Sequence, residues 1–195
     1  MEIQVILSFS VYAIINAFTP GPGNLLALNM MSIHGWKKGK KLFLGIFVGY
    51  YVVQAICAVS IFSLNQFLNP IMETLKYVGA AYIIWLAIHI IRSSPTSTKS
   101  KNKLLFWFGF LLQFVNIKIY LFGITALTGY VMPYYKSFLV VFLFALAIAT
   151  IGTIATLAWV AFGAVFQNVY MKHFRIFNII MALLLGECAL SMVIQ

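Results

Sequence analysis

Two prolines and two glycines interrupt the first apolar stretch of the chain, between Thr19 and Asn24. Proline removes a backbone donor and glycine is a weak helix former, so a helix is predicted to break here. A helix that restarts after Pro22 presents unpaired N–H groups and a positive dipole end, which suit a carboxylate. A kink that only helps helices to pack is the alternative. The candidate binding residues of this first string are Thr19, Pro20, Gly21, Pro22, Gly23 and Asn24. The side-chain amide of Asn24 adds a polar group at the start of the second helix.

A second polar string lies in the fourth apolar stretch and contains Gln113, Asn116 and Lys118. Polar groups in lipid are costly and usually face a partner or a cavity, so these three are also candidate binding residues. Lys118 is the only basic residue deep in an apolar stretch, and Glu187 is the only acidic one. At a 1.5 Å rise per residue they lie roughly 21 and 18 Å from the cytoplasmic end of their spans, so they can meet if the helices are neighbours. Such a pair predicts proton coupling, and two separate polar faces are the alternative.

The remaining polar residues do not form a pattern that is typical of a catalytic or metal site. His34, His89 and His173 make no metal-ligand spacing with another His, Cys or carboxylate, so neither a metal site nor a cofactor is predicted. Nucleophile elbow, H-E-x-x-H and phosphate-loop patterns are absent, and no catalytic residue or enzyme activity is predicted. Cys57 and Cys188 lie in apolar stretches at similar depth. They are either small core residues or the two thiols of a membrane thiol-disulfide electron conduit.

The composition places these residues in a membrane. Hydrophobic residues make up 63% of the 195 positions and charged residues 8%, roughly a third of the charged fraction of an average soluble domain. The formal net charge of +10 comes from short basic clusters between apolar stretches, which indicates a membrane surface and not nucleic acid. The first apolar stretch lacks the basic segment and cleavage site of a signal peptide, so it is predicted to remain as a spanning helix.

Charge and turn residues divide the chain into six apolar stretches, each near or above the roughly 20 residues that cross a bilayer. We therefore predict an all-α integral membrane protein with six transmembrane helices in a single domain, residues 1–195. The third connector, 93–103, has the Ser/Pro/Lys composition of a linker and separates halves of about 1–92 and 104–195. The predicted spans are 4–31, 42–64, 71–91, 104–127, 137–166 and 175–194.

Positive charge alternates from one connector to the next. The first connector, 34–41, contains Lys37, Lys38, Lys40 and Lys41, and the third and fifth are also basic, whereas the second and fourth hold little positive charge. Basic connectors stay in the cytoplasm, so both termini are predicted to face outside. With three spans in each half, the halves run in opposite directions, as in an inverted repeat with broken helices in spans one and four. Two unrelated polar clusters are the alternative.

Several motifs together resemble the LysE/RhtB family of amino acid exporters, over nearly the whole chain. These motifs are the first string, His34-Gly35 before a basic segment, Gly45 and Gly49, the segment 78–86, and the region of Asn116. The segments 110–118 and 123–127 are most similar to the cysteine and O-acetylserine exporter branch. Gly23 and Ile117 depart from the commonest family pattern, which has Asn and Pro there, and the second departure is shared with that branch.

The resemblance implies a secondary transporter of the bacterial inner membrane that exports small neutral amino acids from the cytoplasm, driven by proton entry. Its partners would be an amino acid substrate, protons and the lipid bilayer, without nucleic acid, and a homodimer is left open. Without the resemblance, composition and spacing predict only a small inverted-repeat membrane transporter. A passive channel is a further alternative.

Overall fold

The computed structural model describes residues 2–63, 68–92 and 102–194, and this part of the chain is all helical, without a β-strand. The prediction of an all-α protein is confirmed. Residues 93–101 of the predicted linker, 93–103, lie outside the described residues. The helices are α1 (Ile3–Phe18), α2 (Pro22–Ser63), α3 (Leu68–Arg92), α4 (Asn102–Val115), α5 (Ile117–Ala126), a π-helical turn (Leu127–Val131), α6 (Phe138–Val165), α7 (Gln167–Lys172) and α8 (Phe174–Ile194).

Three described helical segments are long and apolar enough to cross a membrane: Pro22–Phe62, Phe138–Val165 and Phe174–Ser191. The pair Leu105–Val115 and Ile117–Val131, bent by 54°, makes a fourth candidate when it is counted as one span. These segments agree with an integral membrane protein. The count of six spans and the inverted repeat stay predictions.

Helix α2 is interrupted at Gly35, which has φ 69° and ψ 178°. Only glycine adopts this conformation without strain, because it has no Cβ. The turn at Gly35 lies within the predicted connector, 34–41, and apart from Gly35 the segment is helical. Lysine is a good helix former, so the four lysines that mark the connector in the sequence lie at the start of the next helical segment. We call residues 22–34 the first arm of α2 and residues 36–63 the second arm.

The first arm runs parallel to α6. Thr156 donates a hydrogen bond to the Asn24 side chain at 2.9 Å, and Ser32 donates to the Gly163 carbonyl oxygen at 3.2 Å. Residue numbers therefore increase in the same direction along both helices. These two contacts hold the start and the end of the first arm against the second half of α6.

The second arm runs antiparallel to α6, so the chain reverses its direction at Gly35. Tyr51 and Thr150 share a hydrogen bond of 2.8 Å, and the ring of Phe62 packs edge-on against Phe138, with centroids 5.6 Å apart. A later residue of the arm thus meets an earlier residue of α6. Residues 22–63 consequently form a helical hairpin and not one straight rod.

The second arm also packs closely along α4. A Cβ on Gly45 would collide with the Phe106 carbonyl oxygen, and a Cβ on Gly109 would collide with the Leu42 carbonyl oxygen. Glycines at both surfaces let the two backbones touch, as small residues do between membrane helices. The second arm and α4 therefore form a rigid pair that leads up to Asn116, where α4 ends.

The buried apolar side chains form two clusters. One joins the first arm, the start of the second arm, α3, α4 and α8, and Leu25, Phe43 and Leu185 are among its residues. The other joins α1, the rest of the second arm, α5 and the first half of α6, with Phe9 and Phe122 among its residues. The ends of α1 and α4 lie where one cluster gives way to the other, which leaves polar backbone between two apolar regions.

Candidate functional site

The two polar strings of the sequence lie next to each other. Residues 19–21 separate α1 from α2, and Asn116 separates α4 from α5. Lys118 connects the two interruptions: its Nζ donates to the Thr19 carbonyl oxygen at 2.7 Å and lies 3.4 Å from the Pro20 carbonyl oxygen. Residues that are about a hundred positions apart in the chain thus form one site.

Glycines in the first string make room for side chains of the second. A Cβ on Gly21 would lie 3.0 Å from Cδ of Lys118. A Cβ on Gly23 would lie 3.5 Å from the side-chain amide atoms of Gln113. A larger side chain at Gly21 would therefore push Lys118 away from the carbonyls that it holds, whereas Gly23 leaves space for ordinary contact.

The carbonyl end of α1 is satisfied by side chains. The last carbonyl groups of a helix have no partner within the helix, and in lipid each unpaired group is costly. They also form the negative end of the helix dipole, which attracts a cation such as Lys118. The donors are Asn24 Nδ2 to Ala17 O at 2.9 Å, Trp159 Nε1 to Phe18 O at 3.1 Å, and Lys118 Nζ to Thr19 O at 2.7 Å.

Asn24 is buried and both ends of its amide have protein partners. Its Nδ2 donates to the Ala17 carbonyl, and its Oδ1 accepts a hydrogen bond from Thr156. The sequence predicts that this amide binds a ligand. In the structure it joins α1, the first arm of α2 and α6, and so positions the interruption from the inside.

Asn116 differs from its neighbours because its side chain makes no hydrogen bond with the described residues. It is only 3% exposed, and its Oδ1 is buried without a partner. Gln113, by comparison, donates to the Gly109 carbonyl at 3.1 Å. An unpaired buried acceptor costs about 1–3 kcal/mol, so Asn116 is suited to a ligand that brings a donor.

A cavity of about 320 Å³ lies beside the two interruptions. This volume is at the lower end of the roughly 300–1,000 Å³ typical of small-molecule sites. It is lined by the predicted residues Thr19, Pro20, Pro22, Asn116, Lys118 and Glu187, together with Tyr12, Asn16, Ile117, Leu121, Phe122, Thr125, Cys188 and Ser191.

A second, smaller cavity of about 20 Å³ adjoins the first, since Asn16, Asn116, Lys118 and Phe122 line both. Its size suits a single water molecule. It is lined in addition by the predicted residues Gly21, Gly23, Asn24 and Gln113 and by Ala17, Tyr50, Ile119 and Thr156. Every residue that the sequence predicts for the site therefore faces one of the two cavities.

Lys118 and Glu187 are not paired in this structure, and their coupling stays a prediction. Both residues line the larger cavity, but in the described part of the chain they form no ion pair. Lys118 donates to backbone carbonyls of the first string, and Glu187 Oε1 accepts a hydrogen bond from Ser191 at 2.8 Å. Similar depth gives only the position along the membrane normal, and in the structure the ammonium group lies against the carbonyl end of α1.

The two cysteines lie in different surroundings, and both are free thiols. Cys57 is buried in the apolar cluster of the second arm. Cys188 lines the larger cavity, with its Sγ 4.0 Å from the Pro20 carbonyl oxygen. Nothing in this arrangement supports a thiol-disulfide conduit.

The sequence analysis missed several polar residues of the site. Tyr12, Asn16, Thr125 and Ser191 line the larger cavity, and Thr156 holds Asn24. Each is a polar residue within an apolar stretch, which was the available signal. What the sequence does not contain is the direction in which each side chain points around its helix.

Known proteins are similar to this chain over its full length. A family model described as LysE type translocator matches residues 14–195. A cysteine/O-acetylserine efflux protein of Klebsiella pneumoniae is 38% identical over 196 residues, covering 100% of both chains. Proteins of the same description are 40% identical in Salmonella typhi and 37% identical in Escherichia coli O1:K1, each over 190 residues and 97% of both chains. No solved structure matches the chain.

The family match spans both helix interruptions and every lining residue of the two cavities except Tyr12. The resemblance that the motifs indicate is confirmed, and the candidate spans agree with a multi-pass membrane protein. A translocator family also agrees with the prediction that the chain is not an enzyme. The chain belongs to the LysE type translocator family.

Proposed function

We propose that the chain is a secondary transporter that exports small neutral amino acids, such as cysteine and O-acetylserine, across the inner membrane of a bacterium. The observation that carries the proposal is the cavity of about 320 Å³ beside the two helix interruptions. Membership in a translocator family supports transport, and the names of the relatives support the substrate class.

The chemistry of the two adjoining cavities suits both charged groups of an amino acid: Asn116 and Lys118 line both, and Gly23 and Asn24 line the smaller one. The N–H groups of Gly23 and Asn24 precede the first hydrogen bond of α2, from Leu25 N to Gly21 O at 2.9 Å. They and the Lys118 ammonium attract a carboxylate. The unpaired Oδ1 of Asn116 accepts a hydrogen bond from the α-ammonium group. A zwitterion therefore satisfies both ends of the site.

The proposed architecture is six spans in two inverted halves, about 1–92 and 104–195, with spans one and four broken at the site. The contacts between helices support it. In the first half the second arm packs in parallel on α4 and α5, and Gln54 donates to the Ile119 carbonyl at 2.9 Å. In the second half α6 packs in parallel on the first arm, and Thr156 donates to Asn24 at 2.9 Å. Each middle span thus holds the broken span of the other half.

The larger cavity lies on one side of the interruptions. Beyond the interruptions themselves, its lining residues come from α1, from α5 after Lys118, and from the last part of α8. With both termini outside, these are the outer halves of their spans. We therefore assign the structure to an outward-facing state, in which the site communicates with the exterior.

The opposite side of the site is closed by a buried polar network. Asn29 donates to the Tyr170 hydroxyl at 2.6 Å, and Tyr170 donates to Asn178 Oδ1 at 2.6 Å. Asn178 donates in turn to the Ile90 carbonyl oxygen at 2.8 Å. Burial raises the pKa of Tyr170, which lies between the last two predicted spans, to about 12, so its hydroxyl keeps the proton that it donates. We call Asn29, Tyr170, Asn178 and the Ile90 carbonyl the inner latch, because they join the first arm, α7, α8 and α3.

Uptake of labelled amino acids into inverted membrane vesicles tests the proposed function. Cysteine and O-acetylserine should accumulate with saturation, and dissipating the proton gradient should stop their accumulation. Overexpressing cells should release more of both compounds. Transport that does not saturate would indicate a passive channel instead, and a panel of small neutral amino acids without any transport would overturn the proposal. A Cys57→Ser, Cys188→Ser variant with full transport would remove the thiol-disulfide alternative.

The proposed orientation predicts which connectors an impermeant thiol reagent reaches in intact cells. In a chain whose own cysteines are replaced, a single cysteine at Asn65 should be labelled, and one at Ser97 should be labelled only after the membrane is opened. The basis is the alternation of positive charge between connectors. The reverse pattern would place both termini in the cytoplasm, and the larger cavity would then face the cytoplasmic side.

Glu187→Gln is expected to export substrate with a weaker dependence on external pH than the unchanged protein. Glu187 is the acidic residue that lies deep in a predicted span, and it lines the cavity on the proposed outer side, where it accepts a hydrogen bond from Ser191. Gln keeps the shape and the hydrogen bond but has no ionisable group. Efflux rates over a series of external pH values measure the effect, with Glu2→Gln, an exposed carboxylate at the chain end, as the matched control. An unaltered pH profile in Glu187→Gln would move the coupling group elsewhere.

A further inference from the structure

A groove on the second arm of α2 lies just after the turn at Gly35, away from the site described above. Its volume is about 320 Å³, and it is lined by Lys40 and Lys41 together with Trp36, Phe43, Leu44 and Phe47. The Trp36 and Phe43 rings are 5.6 Å apart. Phe43 lies back over Gly39, where a Cβ would collide with the ring. The missing side chain at residue 39 therefore shapes the groove.

The two ends of the groove differ in chemistry. Lys40 and Lys41 are exposed, and the sequence has no acidic residue between Glu2 and Glu73 that could neutralise them locally. Beyond them the lining is apolar, with Leu44 exposed at 54%. The helix rises about 10 Å, or roughly two turns, from Lys40 to Phe47, so the apolar end lies within the predicted span.

The geometry points to an anionic phospholipid in this groove, with its phosphate at Lys40 and Lys41 and one acyl chain along Leu44 and Phe47. Ammonium groups at the membrane surface attract anionic lipids, and aromatic rings such as Trp36 lie at the same level. A soluble phosphate ion would use the two lysines and leave the apolar end uncovered. The predicted orientation places this groove in the inner leaflet, and its occupancy does not depend on what the transporter carries.

Thermal unfolding of the purified protein in a neutral detergent tests the lipid site. Phosphatidylglycerol should raise Tm, whereas phosphatidylcholine with the same acyl chains and inorganic phosphate should not. Lys40→Gln with Lys41→Gln should raise the phosphatidylglycerol concentration that is needed for the Tm rise about 30-fold, as expected for two lysines at a membrane surface. The matched control is Lys37→Gln with Lys38→Gln, which removes the same charge from exposed neighbours that do not line the groove. It should retain most of the effect.

Equal losses in the two double variants would overturn the site in favour of diffuse surface charge. A Tm rise with phosphate alone would indicate an ion site, and an equal rise with phosphatidylcholine would indicate an unspecific lipid effect. Fluorescence provides a measurement that needs no lysine variant: phosphatidylglycerol with brominated acyl chains should quench the unchanged protein more than Trp36→Phe. Equal quenching of the two proteins would show that no acyl chain lies against Trp36.

Discussion

Lys118→Met is expected to reduce export to background while the protein still inserts and folds. The methionine side chain has a similar length but offers neither charge nor donor, so the Thr19 and Pro20 carbonyl oxygens lose the ammonium group and keep only the longer contacts from Asn24 Nδ2 and Cys188 Sγ. A lost hydrogen bond from a charged donor costs about 1.5–3 kcal/mol, so a lower unfolding temperature should accompany the loss. The proposed attraction for the substrate carboxylate disappears at the same time. No other substitution in the site removes a structural contact and a binding charge together.

Efflux per amount of monodisperse extracted protein measures this prediction, because it separates transport from expression. Lys118→Arg keeps the charge and should retain part of the activity, although the planar guanidinium does not reproduce the geometry of an ammonium group. Lys136→Met removes an exposed lysine outside the cavity and should leave export unchanged. Full export by Lys118→Met would mean that the lysine is only a structural partner of α1 and that the carboxylate binds elsewhere.

Tyr170→Phe is expected to open the cytoplasmic side of the protein. The hydroxyl makes two hydrogen bonds of 2.6 Å within the inner latch, and without it Asn29 Nδ2 and Asn178 Oδ1 face each other at 3.5 Å, the outer limit for a hydrogen bond. Each lost bond has a net value of roughly 0.5–1.5 kcal/mol. The balance between outward-facing and inward-facing states should therefore shift about tenfold or more towards the inward-facing state.

Labelling of a cysteine in place of Ser32 reports this opening. Ser32 is 1% exposed and bonded to the Gly163 carbonyl, so its replacement should react slowly from the cytoplasmic side. In inverted vesicles from a chain without other cysteines, Tyr170→Phe should accelerate the reaction. Tyr134→Phe, at an exposed tyrosine outside the latch, should not. Equal labelling rates with and without Tyr170→Phe would show that the polar network is a static part of the core.

The part of the fold that the sequence predicts is the part that depends on local composition. Apolar stretches predict helices, and the Pro-Gly string predicts an interruption at the place where the structure has residues 19–21 outside a helix. The turn at Gly35 shows the limit of composition. A cluster of lysines indicates a membrane surface, but whether the backbone loops or stays helical there depends on the φ of a single glycine.

The site could be predicted as a set of residues but not as a set of contacts. Polar residues in apolar stretches identify Gln113, Asn116 and Lys118, because lipid makes every such residue expensive. Depth along a helix does not give the rotation of the helix or its neighbours, and for this reason the sequence does not identify the Thr19 and Pro20 carbonyl oxygens as the partners of Lys118. The hydrogen bond from Trp159 to Phe18 has no sequence signal at all, since it depends on how α6 crosses the end of α1.

The carbonyl end of α1 also has a consequence for biosynthesis. Two of the side chains that satisfy it are made long after it: Lys118 follows Thr19 by 99 residues, and Trp159 follows Phe18 by 141. While the ribosome is still translating the first half, those carbonyls must keep water or lipid headgroups as partners, because the membrane interior offers none. The hydrogen bonds at the carbonyl end of the first helix are therefore complete only after Trp159 in α6 has been synthesised.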